Sequence, residues 1–228
     1  MSKKGAIIVL DGMVGCGKTT QLREITAELN RRNIPHFYGR EPGGVPIAEA
    51  IRAVLLNPAH QEMNPLATVL LFEAARAEYF SKAVIPKVEQ GITVVTDRSY
   101  WSTVAFQGYG SGVDVNLINQ YNNDAVFGYH PDISFLLDVE SVPEAVRRAL
   151  VTSGRVGETD RFEHEERDFH TRIRDGYREI PSRYPEKNIH LVPHCEEEEN
   201  ITARIQRISD YLLARLNPFL DEFQARYP

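Results

Sequence analysis

A short apolar run, Ala6-Ile7-Ile8-Val9-Leu10, leads directly into Gly12-Met13-Val14-Gly15-Cys16-Gly17-Lys18-Thr19. The second segment matches the pattern G-x-x-x-x-G-K-[ST] without a gap, and Lys18 to Arg32 after it reads as a helix. Strand, glycine loop and helix in that order leave few folds open. Glycines let the loop wrap closely enough for backbone N–H groups to point at phosphate oxygens. Lys18 adds a cation for the outer phosphates, the Thr19 hydroxyl can ligate Mg²⁺, and Thr20 follows in the first helical turn. The motif therefore indicates ATP or a similar nucleotide and leaves the reaction open.

Further apolar runs alternate with amphipathic segments. The expected strands are Ala6–Leu10, His36–Tyr38, Ile92–Thr96, Ile133–Leu137 and Ile189–Val192. The expected helices are Lys18–Arg32, Ile47–Leu56, Leu66–Glu89, Ser102–Phe106, Asn116–Phe127, Val142–Leu150, Glu163–Ile180 and Ile201–Leu216. Alternation of this kind predicts an α/β chain with a five-stranded parallel sheet and helices on both faces, the three-layer P-loop NTPase type. Residues 1–228 read as one domain. Glycine-bearing segments at Gln107–Asp114 and Val151–Arg161 read as mobile loops. The second, with its arginine before a long helix, is the candidate lid, placed at about residues 151–163. In the tail Asn217–Pro228, the aromatic and leucine positions read as a packed helix end.

A net charge of −6 argues against general nucleic-acid binding, so any phosphate site must concentrate its cations locally. No apolar run approaches membrane-spanning length, and Met1-Ser2-Lys3-Lys4 leads into the first strand without a signal segment. Cys16 and Cys195 lie far apart and form no metal-ligand spacing, so reduced thiols and a cytoplasmic setting are expected.

Asp97-Arg98 closes the run Ile92–Thr96, which places both at the C-terminal edge of the sheet, where ligands of parallel sheets bind. Asp97 there can hold Mg²⁺ opposite Thr19, and Arg98 can bridge two phosphates. Phe72 and Arg76 share one helix face, where an aromatic ring can stack a base and a guanidinium can bond its edge. Spacing alone favours a core phenylalanine and an arginine paired with Glu73 or with Glu78 of another chain. Arg40-Glu41-Pro42-Gly43-Gly44 forms a turn, with Arg52 on the helix after it. Arg147, Arg148, Arg155 and Arg161 gather near the candidate lid, where Glu163 can orient one of them. Several arginines around one phosphate loop suit phosphoryl transfer.

Taken together, these segments resemble the thymidylate kinase family. The resemblance is carried by Arg40-Glu41-Pro42-Gly43-Gly44 with Ile47–Arg52, by Leu71-Phe72-Glu73-Ala74-Ala75-Arg76, and by Asp97-Arg98-Ser99. It continues through Ser102–Gly108 and Gly157-Glu158-Thr159-Asp160-Arg161-Phe162-Glu163. The resemblance implies transfer of the ATP γ-phosphoryl group to dTMP, giving dTDP, with Mg²⁺, in a homodimer. It implies that Phe72 stacks on the base and that Arg76, Thr103 and Gln107 contact it. Glu41 and Pro42 would border the acceptor, and Arg52 and Arg98 would grip its phosphate. With Gly15-Cys16 and no arginine in the loop, the chain is similar to the bacterial type, whose lid supplies the transition-state charge. Arg155 is the first candidate and Arg161 the second.

The family pattern has a carboxylate where this chain has Val14, near the acceptor's deoxyribose hydroxyl. Valine cannot accept that hydrogen bond, a loss of about 1–3 kcal/mol unless another group such as Asp11 compensates. Val45 and Ser99 also depart from the pattern. The alternative readings are a P-loop kinase for another nucleotide or nucleoside, and a non-catalytic nucleotide-binding module. An Asn-Lys-x-Asp guanine-reading motif does not occur.

Overall fold

The computed structural model describes residues 4–152, 162, 167–194 and 200–227. Strand β1 (Ile7–Gly12) is buried along its whole length. A continuous apolar run requires this, since both faces of a central parallel strand are covered by helices. β1 pairs in parallel with β3 (Thr93–Asp97) on one side and β4 (Ile133–Leu137) on the other. β2 (His36–Arg40) and β5 (Ile189–Val192) form the edges, giving the order β2-β3-β1-β4-β5. The chain passes from β1 to β2 on one side and, after β3, crosses past β1 to β4 on the other, so the topological switch lies at the C-terminal end of β1.

Three strands run further than their apolar residues suggested. β1 continues through Asp11, which pairs with Leu136, and Arg40 and Leu10 both stand in register with Asp97. Ladder hydrogen bonds belong to the backbone, so polar side chains at the sheet's edge do not end a strand whose neighbours continue. The consequence is functional: Asp11, Arg40 and Asp97 are held on the sheet.

The helices are α1 (Lys18–Arg31), α2 (Pro46–Leu56), α3 (Pro65–Tyr79), α4 (Ile85–Glu89), α5 (Tyr100–Thr103), α6 (Val115–Ala125), α7 (Val142–Thr152), α8 (Arg167–Arg183) and α9 (Ile201–Arg226). The single helix expected at Leu66–Glu89 is interrupted by a π-helical turn at Phe80–Val84. That turn lies just before Pro86, which has no N–H to give to a regular ladder.

The expected mobile loop at Gln107–Asp114 is corrected over its first four residues, while 111–114 remain turn and irregular chain. α5 continues into a buried π-helical stretch, Val104–Gly110, packed against α8. Its glycines serve close packing: a Cβ on Gly110 would stand 2.8 Å from the Phe169 ring. α7 extends to Thr152, so the start of the expected lid is helical; apart from Phe162, the rest of that segment lies outside the described residues. α9 runs through Pro218 to Arg226, beyond the expected end at Leu216, and buries Leu220 with Phe219 and Phe223 packed on the core. The tail is therefore part of a helix that packs on α1.

Candidate active site

The loop after β1 takes its shape from backbone conformations open to glycine. Gly15 has φ 69°, and a Cβ there would lie 1.8 Å from the Ala145 carbonyl oxygen. No side chain fits at that point, which is why this loop carries no arginine at position 15. Gly17, at φ 95°, caps α1 without a side-chain bond, and the first turn of α1 holds no acidic residue. Its leading N–H groups thus point at the loop with a positive helix end behind them. Lys18 Nζ lies 3.1 Å from the carbonyl oxygens of both Gly12 and Met13 and 3.7 Å from Cys16 Sγ. Thr19 is exposed at the start of the helix, and Cys16 is buried.

A cavity lies on each side of this loop. The first, about 330 Å³, is lined by Gly15 through Gln21, by Arg148 of α7, and by Ile201, Arg204, Ile205 and Ile208 of α9. It places the helix end and two guanidinium groups around one opening. Arg204 was missed from sequence because it stands nearly two hundred residues from the loop. Gln21 links the two helices: its Nε2 donates to the Ile205 carbonyl at 3.2 Å, and its Oε1 accepts from Ser209 Oγ at 2.9 Å.

The second cavity is lined by Val14, Glu41, Pro42, Arg52, Leu56, Phe72, Arg98, Ser102, Phe106, Gln107 and Phe162. The phosphate loop is the wall between the two, with Val14 facing one and Gly15 to Thr20 facing the other. Phe72 is half-buried, and its ring lies 6.1 Å from that of Phe162. Arg52 Nη1 donates to the Pro42 carbonyl at 2.7 Å, across a cis Glu41–Pro42 peptide.

Arg98 lines the second cavity and has φ 70°, a conformation uncommon for a residue with a Cβ. Its Nη1 donates to the Gly12 carbonyl at 3.1 Å and to Ser102 Oγ at 2.9 Å, and its guanidinium lies 5.3 Å from the centre of the Phe106 ring. Asp97 ends β3 beside the loop; its Oδ1 is buried and has no hydrogen-bond partner among the described residues. No group of three or more His, Cys, Asp or Glu side chains able to hold a metal occurs among the described residues. Mg²⁺ suits such a site, since it keeps several waters and binds few protein groups beside substrate phosphates. Thr19 and the unpartnered oxygen of Asp97 fit that limited role.

Asp11 does not compensate for Val14. It is fully buried and already saturated. Its Oδ1 accepts from Gly12 N at 2.8 Å, Ser102 Oγ at 2.7 Å and Tyr177 OH at 2.8 Å. Its Oδ2 accepts from Ser99 N at 2.9 Å, Ser99 Oγ at 3.2 Å and Ser102 N at 3.1 Å. Arg98 Nη1 stands 3.7 Å from the same carboxylate. The group ties β1, α5 and α8 together and holds the arginine's surroundings. Burial pushes the Tyr177 hydroxyl well above its usual range, which keeps it a donor to Asp11.

Arg76 lies behind the second cavity and is 2% exposed. Its Nε donates to Glu41 Oε2 at 2.6 Å, and its Nη1 to Glu73 and to Asn122 Oδ1 at 2.9 Å. Its Nη2 donates to Thr103 Oγ1 at 3.1 Å. Arg76 and Thr103 thus meet each other and sit behind Glu41 and Gln107, which form the wall. Two carboxylates share one buried guanidinium, and burial raises the Glu41 pKa to about 7 despite the pull of Arg76. Asn122 is a supporting residue that spacing could not single out, because α3 and α6 meet only in the fold, whereas the Glu73 pairing is the one spacing offered.

Other arginines are engaged elsewhere. Arg40 pairs with Glu49 and Arg147 with Glu144, both at the surface. Arg155, Arg161, Glu163 and Cys195 lie outside the described residues.

Comparison with known proteins places this arrangement. Residues 10–205 match the family described as Thymidylate kinase. A thymidylate kinase of Pelotomaculum thermopropionicum is 40% identical over 184 residues, covering 81% of this chain and 83% of that protein. One of Carboxydothermus hydrogenoformans is 40% identical over 177 residues, covering 78% and 84%. The crystal structure of thymidylate kinase from Ehrlichia chaffeensis superposes with a TM-score of 0.71 at 30% identity, covering 93% of this chain and 99% of that one. The matched span includes the phosphate loop and nearly every residue lining the two cavities beside it, and on that basis the chain belongs to the thymidylate kinase family.

Proposed function

We propose that this chain transfers the γ-phosphoryl group of ATP to dTMP, releasing ADP and dTDP, with ATP in the loop-and-α9 cavity and dTMP in the cavity of Phe72. The observation that carries the reading is the pair of cavities meeting at one phosphate loop, with Arg98 lining the second and bonded to the loop carbonyl of Gly12. Two nucleotides held on opposite sides of that loop bring their phosphates together at its centre.

Phosphoryl transfer asks little covalent chemistry of a protein; positioning and charge neutralisation dominate. Lys18 and the loop amides hold the β- and γ-phosphates of ATP. Thr19 and Asp97 would hold Mg²⁺, which when bound would supply charge neutralisation at those phosphates. Arg98 and Arg52 grip the acceptor phosphate, whose oxygen is already ionised at neutral pH, so no general base is needed. Phe72 stacks on the base. Because Gly15 leaves no room for a side chain, the remaining transition-state charge falls to the lid, to Arg155 first and Arg161 second. Lid closure over residues 151–163 keeps out water, a competing acceptor.

The reaction takes place in the cytoplasm and the chain works as a homodimer. Exposed apolar side chains on neighbouring helices, Val54 of α2 with Leu66 and Leu70 of α3, support a second copy there. ADP release measured with dTMP, dUMP, dGMP and thymidine tests the reading. dTMP is expected to give the highest kcat/KM. A preference for thymidine overturns it in favour of a nucleoside kinase, and ATP binding without transfer to any acceptor overturns catalysis itself.

A further inference from the structure

Beyond Asn122, the residue through which α6 holds Arg76, lies another cavity of about 220 Å³. It is lined by Tyr100, Trp101, Asn119, Asn122, Tyr184 and Lys187, none of which lines either nucleotide cavity. Its apolar surface is aromatic. The Tyr100 and Trp101 rings meet edge to face at 4.5 Å, and the Tyr184 ring lies 5.1 Å from that of Trp101. Trp101 Nε1 donates to Ser134 Oγ at 3.0 Å, so the indole offers this cavity its ring and not its N–H.

The polar groups around these rings are donors. Asn119 Oδ1 accepts from Tyr184 OH at 3.0 Å, and Asn122 Oδ1 accepts from Arg76 Nη1 at 2.9 Å. The oxygen of each amide is thus engaged, and the NH₂ is the end that remains for the cavity. Asn122 is 3% exposed, and its Nδ2 has no hydrogen-bond partner among the described residues. A buried donor left unpaired is costly and calls for an acceptor. The two asparagines stand three apart on α6, so they share a face, and Lys187 adds a cation. Two amide donors, a cation and aromatic walls specify a flat, acceptor-only group, a carboxylate on a ring. Glu186 and Asn123 are exposed and also line the cavity. A carboxylate in water weighs little against a single negative charge, but it disfavours polyanions such as nucleoside phosphates.

We infer that this cavity binds a small planar carboxylate and transmits its occupancy to the acceptor cavity through Asn122. The route is one amide. A carboxylate on the NH₂ polarises the group and makes Oδ1 a stronger acceptor for Arg76. Arg76 Nε in turn holds Glu41, in the wall of the acceptor cavity, at 2.6 Å. Occupancy therefore firms that wall and favours the acceptor. Binding depends on this cavity's own residues; only the coupling rests on the dTMP reading.

Trp101 is the chain's single tryptophan, so its indole N–H resonance reports on this cavity. The full chain is titrated with benzoate up to about 20 mM, and a saturable shift of that resonance with a Kd of about 1 mM or tighter is expected. Benzyl alcohol keeps the ring without the oxyanion. Asn119→Asp keeps an oxygen for Tyr184 and replaces the NH₂ by a second oxygen. Each change is expected to weaken binding at least about tenfold, as is Lys187→Glu, the second variant should N119D fail to fold. A resonance that does not move, or that moves alike in all these cases, overturns the site. Saturating benzoate is expected to lower the dTMP KM of wild type about twofold or more, to leave the ATP KM as it was, and to do neither in N119D. Binding with an unchanged dTMP KM overturns the coupling, and an equal effect in N119D traces it to the nucleotide cavities instead and overturns it too. Wild type inactive on dTMP overturns the kinase reading and leaves the titration to decide the site, so the two failures are distinguishable.

Discussion

Replacing Asp11 by asparagine separates a structural carboxylate from a substrate-binding one. In the structure each Asp11 oxygen accepts from a backbone N–H or two: Gly12 N at Oδ1, Ser99 N and Ser102 N at Oδ2. Asparagine has only one oxygen. If its NH₂ takes the Oδ1 place, the Gly12 N–H faces another donor; if it takes the Oδ2 place, those of Ser99 and Ser102 do. At least one buried N–H is orphaned, at a cost of about 1–3 kcal/mol. The bonds that remain lose their charge, and so does the Arg98 neighbour at 3.7 Å, a further loss of about 1–2 kcal/mol. The expected destabilisation is about 2–5 kcal/mol, a large share of a typical 5–15 kcal/mol total. With a urea slope of about 2–3 kcal/mol/M, the midpoint falls by about 0.7–2.5 M. At temperatures where the variant stays folded, its ratio of kcat/KM for dTMP to that for 3′-deoxy-dTMP is expected to match wild type, because Asp11 has no lone pair left for a sugar hydroxyl. A midpoint within about 0.3 M of wild type, less than 1 kcal/mol at that slope, together with a collapsed ratio, refutes the reasoning and makes Asp11 the sugar's partner.

Lys18→Ala removes the cation over the loop and is expected to lower kcat by at least about a hundredfold with the urea midpoint nearly unchanged; near-normal turnover sinks the phosphate-loop assignment. Phe72→Ala is expected to raise the dTMP KM about tenfold or more through lost stacking while the ATP KM stays as it was, and equal effects on both count against a base-stacking role. Asp97→Asn is expected to raise the Mg²⁺ concentration for half-maximal rate about tenfold or more, checked by titrating the metal at saturating nucleotides; an unchanged requirement removes Asp97 from the metal site. Glu41, ordinarily near 4.5, is raised to about 7 by burial, so the folded chain binds its proton more tightly than the unfolded one. That contribution is fully present below about 4.5 and is lost as pH rises through about 7. Wild type is therefore expected to lose on the order of 3 kcal/mol relative to Glu41→Gln between pH 4.5 and 8, and parallel urea-stability curves across that window exclude the shift.

Much of the donor side was legible from local order alone. The apolar run of β1, the loop glycines and Lys18-Thr19 are contiguous, and the chemistry they carry depends on backbone N–H groups within one turn. The five strands were legible for the same local reason, since each is a short apolar run between polar segments. The loop reading of Gln107–Asp114 failed because glycine has two uses. Glycine frees a backbone in a surface turn, and it admits a neighbouring ring inside a core, as Gly110 admits Phe169. Which use applies depends on α8, which is distant in sequence.

The acceptor side was the tertiary structure's to decide. Spacing placed Phe72 and Arg76 on one helix face and no more. Only the packing of α3 against α6 and α5 gives Arg76 its partners Asn122 and Thr103, and only the approach of the Glu41 turn supplies its remaining carboxylate. The roles of Asp11 and Glu41 could not be told apart along the chain, since both are acidic residues at strand ends. Asp11 is surrounded by donors that exhaust it, whereas Glu41 Oε1 is buried with no hydrogen-bond partner among the described residues. Hydrogen-bond saturation is a property of the space around a group, built from residues far apart in sequence. The sequence by itself determined the strand, glycine loop and helix suited to a nucleotide phosphate; the tertiary structure decided which polar atoms around the loop are saturated and which are left without a partner among the described residues.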